Sequence, residues 1–423
     1  MSWNRVITTA AAVALGLGLS ASADAGMKVA GDDNKNLKIG ALLQAWAVFN
    51  EGSPEGTYAP EFYLRRMRLM VYGQLSPKVN FFVETDNPNF GKGGDWSGNT
   101  FIQDAYVEFN LHEAFQVDVG MVLVPFSHNS FQSAASHISL DYQSALIRYP
   151  HGAHKVWRDA GLIFRGLLLD KRIDYRVGIY DGVHGDAGAV ARGDETFAWT
   201  EQADPRNPSD LPRVSARVTV NVFEAEGGGG VGGVFVDGMY LKKTDAGLKT
   251  TKKVLAIAGA VDMQPGLNVV WDDVPTTAGA AREIAERGAY MAACGDVFWS
   301  IPIGDEAHQS LNGLVAGYYY NYGDRSDGNT WYDTAGVGQY SGVGVSAVAG
   351  YRINYVQPVV LVDWFESQGA GADDALGDYL SINGGLNYYM LGNATTLKLQ
   401  VGATQVNGGD WAPAAIVQTQ LVI

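Results

Sequence analysis

From Tyr63 to Leu75 the chain alternates in character. Tyr63, Met67, Leu69, Val71, Gly73 and Leu75 share one face of an extended backbone, and Arg66, Arg68, Met70, Tyr72 and Gln74 share the other. A period of two is the signature of a strand. Ser76-Pro77-Lys78 then predicts a tight reversal, after which Val79, Phe81 and Val83 resume an apolar face opposite Asn80, Phe82, Glu84 and Asp86. This is a hairpin with one oily side and one charged side. A soluble sandwich has no place for both, whereas a membrane barrel puts lipid against one and water against the other.

The same alternation predicts sixteen strands: 37–50, 61–75, 79–87, 101–111, 115–124, 157–169, 172–181, 212–222, 252–263, 287–301, 309–321, 341–352, 354–366, 377–390, 394–405 and 414–423. Most reach the roughly 9 to 11 residues that a tilted strand needs to cross a bilayer. Their connections alternate between short and long, as expected for periplasmic turns and outer loops. Only 223–251 breaks the pattern, being long on the periplasmic side; a short hairpin is expected near Val234 to Leu241, and if that segment spans, the count becomes eighteen. The expected fold is all-β, a transmembrane antiparallel β-barrel of 16 strands. Aromatics at strand ends, Trp157 and Trp364 at the outer rim and Phe109, Phe115 and Trp299 at the inner, are expected to face the headgroups.

Composition narrows the class. No linker or change of composition divides the 423 residues, and a mean hydropathy of -0.05 excludes a bundle of apolar helical spans. A formal net charge of -15 argues against a nucleic-acid partner. One cysteine, Cys294, excludes an internal disulfide framework and is expected to be a small inward residue. Residues 1–25 read as an export signal: Arg5, an apolar stretch from Val6 to Leu19, and small-residue cleavage sites ending at Ala23 and Ala25. Residues 26–423 would then be the barrel domain, in the outer membrane of a Gram-negative cell.

Inward parity makes two groups of charges. Arg66, Arg68, Arg165, Arg172, Arg176, Arg213 and Arg217 form a basic set, and Glu84, Asp86, Asp104, Glu108 and Asp118 an acidic one. A lumen lined this way would carry a transverse field, with anions following the arginines, unless neighbours such as Arg68 and Glu84 cancel. The long connection 125–156 is expected to fold inward as a constriction. It carries His128, His137, Arg148, His151, His154 and Lys155 against Asp141, with the histidines as titratable positive charge near neutral pH. His151 and His154 lack further ligands at metal-site spacing, so no metal and no cofactor is implied. Gly227, Gly229 and Gly232 match a dinucleotide fingerprint only within a glycine run. No catalytic motif appears, and no enzyme is expected.

Several segments in order carry a family resemblance. Arg65-Arg66-Met67-Arg68-Leu69 running to Gly73, Asp104-Ala105-Tyr106-Val107-Glu108, Gly120 to Pro125-Phe126, Arg158-Asp159-Ala160-Gly161 and Tyr175 to Tyr180-Asp181-Gly182 resemble the successive signatures of the phosphate-selective porins. Gln357-Pro358 and Gly385-Leu386-Asn387-Tyr388-Tyr389 echo them later. The resemblance implies a sixteen-stranded, usually trimeric outer-membrane porin with a basic lumen and an inward third loop. Where that family commonly has a basic residue between Gly120 and Pro125, this chain has Met121, Val122, Leu123 and Val124. The expected function is therefore passive diffusion of small solutes with a moderate preference for anions such as phosphate. The alternative is a non-conducting scaffold or adhesin barrel blocked by its third loop.

Overall fold

The computed structural model describes residues 26–423 apart from 33, 52–57, 149–156, 183–189, 193–194, 198–210, 227–234, 237, 272–283, 323–332, 335–336, 339–340 and 369–376. The sixteen strands of the barrel are β1 (Asn36–Glu51), β2 (Tyr58–Ser76), β3 (Val79–Asp86), β4 (Phe101–His112), β5 (Phe115–Leu123), β6 (Arg158–Leu168), β7 (Ile173–Tyr180) and β8 (Arg213–Asn221). They continue as β9 (Val254–Trp271), β10 (Ile284–Ile303), β11 (Gln309–Asn321), β12 (Gly342–Ile353), β13 (Val356–Ser367), β14 (Tyr379–Asn393), β15 (Thr395–Val406) and β16 (Trp411–Val422). Every neighbouring pair is antiparallel, and β16 closes on β1 with Leu42 opposite Val422 and Asn50 opposite Ala414. Below Leu42 the edge of β1 is taken by a short N-terminal strand, Met27–Gly31, which pairs Met27 with Ile39. Closure leaves no open edge in the hydrocarbon layer, the condition a strand-built membrane protein must meet.

The alternation sets which side meets lipid. On β8, Arg213, Ser215 and Arg217 are buried inside while Val214, Val218 and Val220 are exposed outside. On β9, Ala256, Ala258 and Ala260 face in, and Ile257, Val261 and Met263 face out. Among the described residues no helix is long and apolar enough to cross a membrane; the strands do the crossing. A glycine matters locally at Gly178, where an added Cβ would lie 1.7 Å from the Tyr180 hydroxyl oxygen; its absence lets the Tyr180 ring lie along the inner wall and reach Ser215 at 3.1 Å.

Four expectations change. The barrel has the sixteen strands expected, β8 pairing directly with β9, but the hairpin in their connection is Leu241–Thr244 with Gly247–Thr250, further along than expected. Trp157 does not face the headgroups: its φ of 62° turns the chain inward, and its ring is buried edge-on to Tyr142 at 4.7 Å. The parity of β6 does not extend through that turn. Arg172 precedes β7 and lies at the periplasmic mouth, where Nη1 donates to the carbonyls of Asn221, Val222 and Phe223 at 3.3, 2.5 and 2.9 Å. It fastens a turn instead of lining the wall. Finally, the third outer loop and described residues of 222–253 pack against each other and the inner wall.

Candidate functional site: the ion-paired lumen and its two inserts

Most inward arginines meet carboxylates on the next strand or the one beyond, and Arg176 meets one on its own strand. Side chains directly opposite in an antiparallel sheet lie within reach of each other, so an arginine on one strand finds an acid on the next. Arg68 binds Glu84 at 2.9 Å and Asp86 at 3.0 Å, with Gln103 at 3.3 Å. Arg165 holds Asp118 at 2.8 Å and also pairs with Glu108. Arg176 forks onto Asp174 at 3.0 and 3.2 Å. Arg213 lies between Asp262 at 2.7 Å and Asp159 at 3.5 Å. Arg217 clasps Asp296 with two bonds, at 2.7 and 2.8 Å. Bidentate guanidinium–carboxylate geometry is the strong form of this contact.

Sequence reasoning grouped these charges by sign; the fold pairs them. The acidic wall of Glu84, Asp86, Asp104, Glu108 and Asp118 is bonded residue by residue to Arg68, Arg158 and Arg165. Arg158, which the parity reading left out, binds Asp104 at 3.0 Å with two nitrogens. Asp262 and Asp296 were also passed over, although they share parity with the small inward residues Ala260 and Cys294 two positions away. That shared parity was the available signal. Any field across the lumen is thus built from short local dipoles.

The third loop starts at the outer end of β5 and descends inside the barrel. Ser127 caps one helical turn, His128–Phe131, in a capping box with Ser130. Wall side chains then take the loop's backbone carbonyls, which no regular ladder satisfies. Arg217 donates to Phe126 at 2.8 Å, Gln44 to Ala134 at 3.0 Å, Gln420 to Ala135 at 2.8 Å, Asn387 to Ile138 at 2.7 Å, and Lys398 to His137 and Ser139 at 2.5 and 3.1 Å. Higher up, the ring of Phe126 meets Tyr318 and Tyr320, whose hydroxyls donate to Gln143 and Ala145 at 2.9 Å.

Charge fixes the loop's far arm. Asp141 binds Arg65 at 2.7 Å and also pairs with Arg66, which donates to Gln44 at 2.8 Å. Burial opposes ionisation of Asp141, but the two guanidinium groups outweigh it and hold the carboxyl well below the usual range. His137 is buried edge-on to Tyr142 at 4.7 Å and donates from Nε2 to the Gln132 carbonyl at 3.2 Å, while Nδ1 has no partner among the described residues. Burial, with the Arg66 charge adding to it, pushes His137 down to about 3. It is neutral near pH 7, so it does not supply the titratable positive charge expected of it. His128 is buried too, its Nε2 2.8 Å from Glu226. The backbone of Arg148 ends a short 3-10 helix, Ser144–Arg148. His151, His154 and Lys155 lie outside the described residues.

From the periplasmic side, residues of 222–253 enter the same lumen. A parallel bridge joins Val236 to Gln132 of the loop, and Ile138 of the loop packs into one apolar cluster with Met239, Tyr240 and Leu248. Between the two inserts and the wall remains a cavity of about 20 Å³, bordered by His128, Phe131, Arg176, Arg217, Glu226 and Val236. Among the described residues no three metal-binding side chains converge.

A closed sixteen-stranded barrel, oily outside, charged inside and narrowed by its third loop, is an outer-membrane porin barrel. Residues 24–222, just under half of the chain, match the family model described as phosphate-selective porin O and P, so the family resemblance stands over these first eight strands. A search of the curated proteins finds no match. Among solved structures the chain is similar to OprB of Pseudomonas putida, with 8% identity, a TM-score of 0.58, and coverage of 92% of this chain and 94% of that one. It is also similar to OmpF of Salmonella typhi, solved with daunomycin, with 11% identity, TM-score 0.54 and coverage of 94% and 100%. An anion-selective porin from Comamonas acidovorans has 12% identity, TM-score 0.53 and coverage of 92% and 100%. At such identities the likeness speaks for the fold alone.

Proposed function

We propose that this porin carries small polar solutes passively, with a moderate preference for anions such as phosphate, and does no chemistry on them. The observation that supports an anion route best is the inward file of Arg165, Arg176 and Arg217 on β6, β7 and β8, two of which, Arg176 and Arg217, border the remaining cavity. Guanidinium groups bound to carboxylates still offer N–H donors, and an oxyanion can exchange with a wall carboxylate at each step. The family description and the selectivity of the Comamonas porin point the same way. A zero-current potential measured across a salt gradient tests it: a cation-preferring potential in folded protein refutes the anion preference.

A second reading has its own observation. The apolar contact of Ile138 with Met239 and Leu248 inside the lumen suits a barrel that does not conduct and acts through its outer loops. Single-channel recording separates the two. The proposal also includes an export signal over residues 1–25, cleaved after Ala23 or Ala25, and a homotrimer. N-terminal sequencing and chemical cross-linking of the membrane-extracted protein read these directly; an intact Met1 or a solely monomeric population refutes them.

A further inference from the structure

The hairpin on the periplasmic side of the barrel is described throughout, from residue 241 to 253. Leu241–Thr244 pairs with Gly247–Thr250, which sets Lys242 directly opposite Lys249 and Lys243 opposite Leu248. Like charges facing each other weaken a hairpin, and two strands of this length are marginal at best on their own. The barrel supplies the missing support. Arg352 donates to the Leu248 carbonyl at 3.0 Å and to Thr250 Oγ1 at 2.7 Å. The Leu248 N–H donates to Asn354 Oδ1 at 2.8 Å, and the Thr250 N–H to the Ala307 carbonyl at 3.0 Å. Gly247 has a φ of +127°, and a Cβ there would lie 2.4 Å from Asn354 Oδ1, so the hairpin meets this turn where only glycine fits. Leu248 is fully buried in one apolar cluster with Phe298 and Leu314, which share the inward parity of Asp296 and Ala316. The hairpin therefore sits within the ring of periplasmic turns, across the mouth of the barrel.

What this fastened hairpin presents is basic. Lys242, Lys243, Lys249, Lys252 and Lys253 lie between Leu241 and Val254 with Asp245 as the sole acid, in a chain of formal net charge -15. Lys252 is held by the carbonyls of Ala225 and Glu226, at 3.1 and 2.7 Å, and Lys253 lies 4.2 Å from the centre of the Phe223 ring. The other three are not held. Lys242 and Lys243 are exposed and Lys249 is half-buried, and none of them makes an ion pair or hydrogen bond, with Asp245, with Asp305 and Glu306 of the adjoining turn, or with any other described residue. Three unpaired ammonium groups on a rigid support keep their field for an outside partner. We propose that this face of the hairpin is a docking surface for the cell wall, its lysines binding the free carboxylates that peptidoglycan peptides carry beneath the outer membrane. Its place inside the ring of turns keeps it from the lipid headgroups around the barrel, so the polyanion that reaches it comes from the periplasm. The surface does not depend on what the lumen carries.

The test is co-sedimentation of the membrane-extracted protein with purified peptidoglycan sacculi freed of lipid and protein. The wild type should pellet with the sacculi at low salt and stay in the supernatant at 1 M, where the Debye length is about 3 Å. Sacculi whose carboxyls have been capped as neutral amides should not retain it. Lys242→Gln, Lys243→Gln and Lys249→Gln together should weaken binding about tenfold, because each exposed ion pair contributes a factor of a few. Heat-modifiable gel migration first checks that this variant folds. In nanodiscs, the wild type should bind sacculi equally well whether the lipid is phosphatidylcholine alone or includes phosphatidylglycerol. A wild type that stays in the supernatant at low salt, a folded triple variant that binds as the wild type does, or equal retention by capped sacculi overturns the proposal and leaves the porin reading untouched. Binding suppressed by phosphatidylglycerol overturns it too, since the lysines would then be engaged by lipid headgroups.

Discussion

Replacing Asp141 with asparagine removes the one carboxylate that binds both Arg65 and Arg66. Arg66 is only 1% exposed, so it cannot turn to water for compensation. Stripping the partner from a buried ion pair costs about 3 to 5 kcal/mol, mostly as the penalty on the charge left behind. Two features place Asp141→Asn at the lower end. The Asp141 side chain is itself 21% exposed, and Arg66 keeps its bond to Gln44 and its place 5.2 Å over the Tyr142 ring. A loss of about 3 kcal/mol lowers the docked-to-undocked ratio of the loop about a hundredfold. The barrel should not share that cost, because β2 is held to β1 and β3 by backbone pairing that Asp141 does not enter. Hydrogen exchange read by mass spectrometry separates the two: peptides over 127–147 should exchange about two orders of magnitude faster while strand peptides hold. Adding Arg66→Gln should recover part of the loss, since no unpaired guanidinium then remains. Unchanged exchange over 127–147 in folded Asp141→Asn would refute the reasoning and leave the loop's docking to Lys398, Asn387 and the tyrosines.

The pH dependence of the same loop should come from His137. Its folded value lies below its ordinary one of 6.5, at about 3, so the undocked loop binds the extra proton and docking is lost as pH falls through that window, by about 1.4 kcal/mol per unit. The depressed value of Asp141 keeps it charged over most of this range, so His137→Gln should flatten the dependence. Proteolysis of the loop at pH 7 and pH 4.5 checks this, and equal rates in the wild type would contradict it. Replacing Arg165, Arg176 and Arg217 together with glutamine should shift the zero-current potential toward cations, more at low salt than at 1 M, where the Debye length is about 3 Å. It should also lower the temperature of heat modification, because Glu108, Asp118, Asp174 and Asp296 lose their counter-charges. A potential that stays put would show that selectivity resides in the loop.

What could be read from the chain follows from the range of the physics. Strand alternation is local, so the sixteen strands were legible within a few residues of their ends, except that β9 runs on to Trp271, eight residues past the expected 263; the inward direction of Arg213, Arg217 and Cys294 was legible too. Pairs on adjacent strands were half legible. Arg68 with Glu84 lie on consecutive strands joined by a two-residue turn and could be matched, and Asp174 lies two positions from Arg176. Arg217 with Asp296 could not, since β9 and two long connections intervene. Least legible was what fills the lumen. Parity assigns a face to a strand residue but says nothing of a chain that leaves the sheet, which is why Trp157, His137 and Glu226 were misplaced or passed over. The glycine at 238 and the unusual length of 222–253 were the only signs of a second insert.

The central claim is that the inward face of this barrel is a solute path. Single-channel recording of purified, heat-modifiable protein in planar bilayers tests it most directly. Discrete conductance steps, with a zero-current potential on the anion side in a potassium chloride gradient, are the predicted result. A folded protein that gives no steps at any voltage would contradict it.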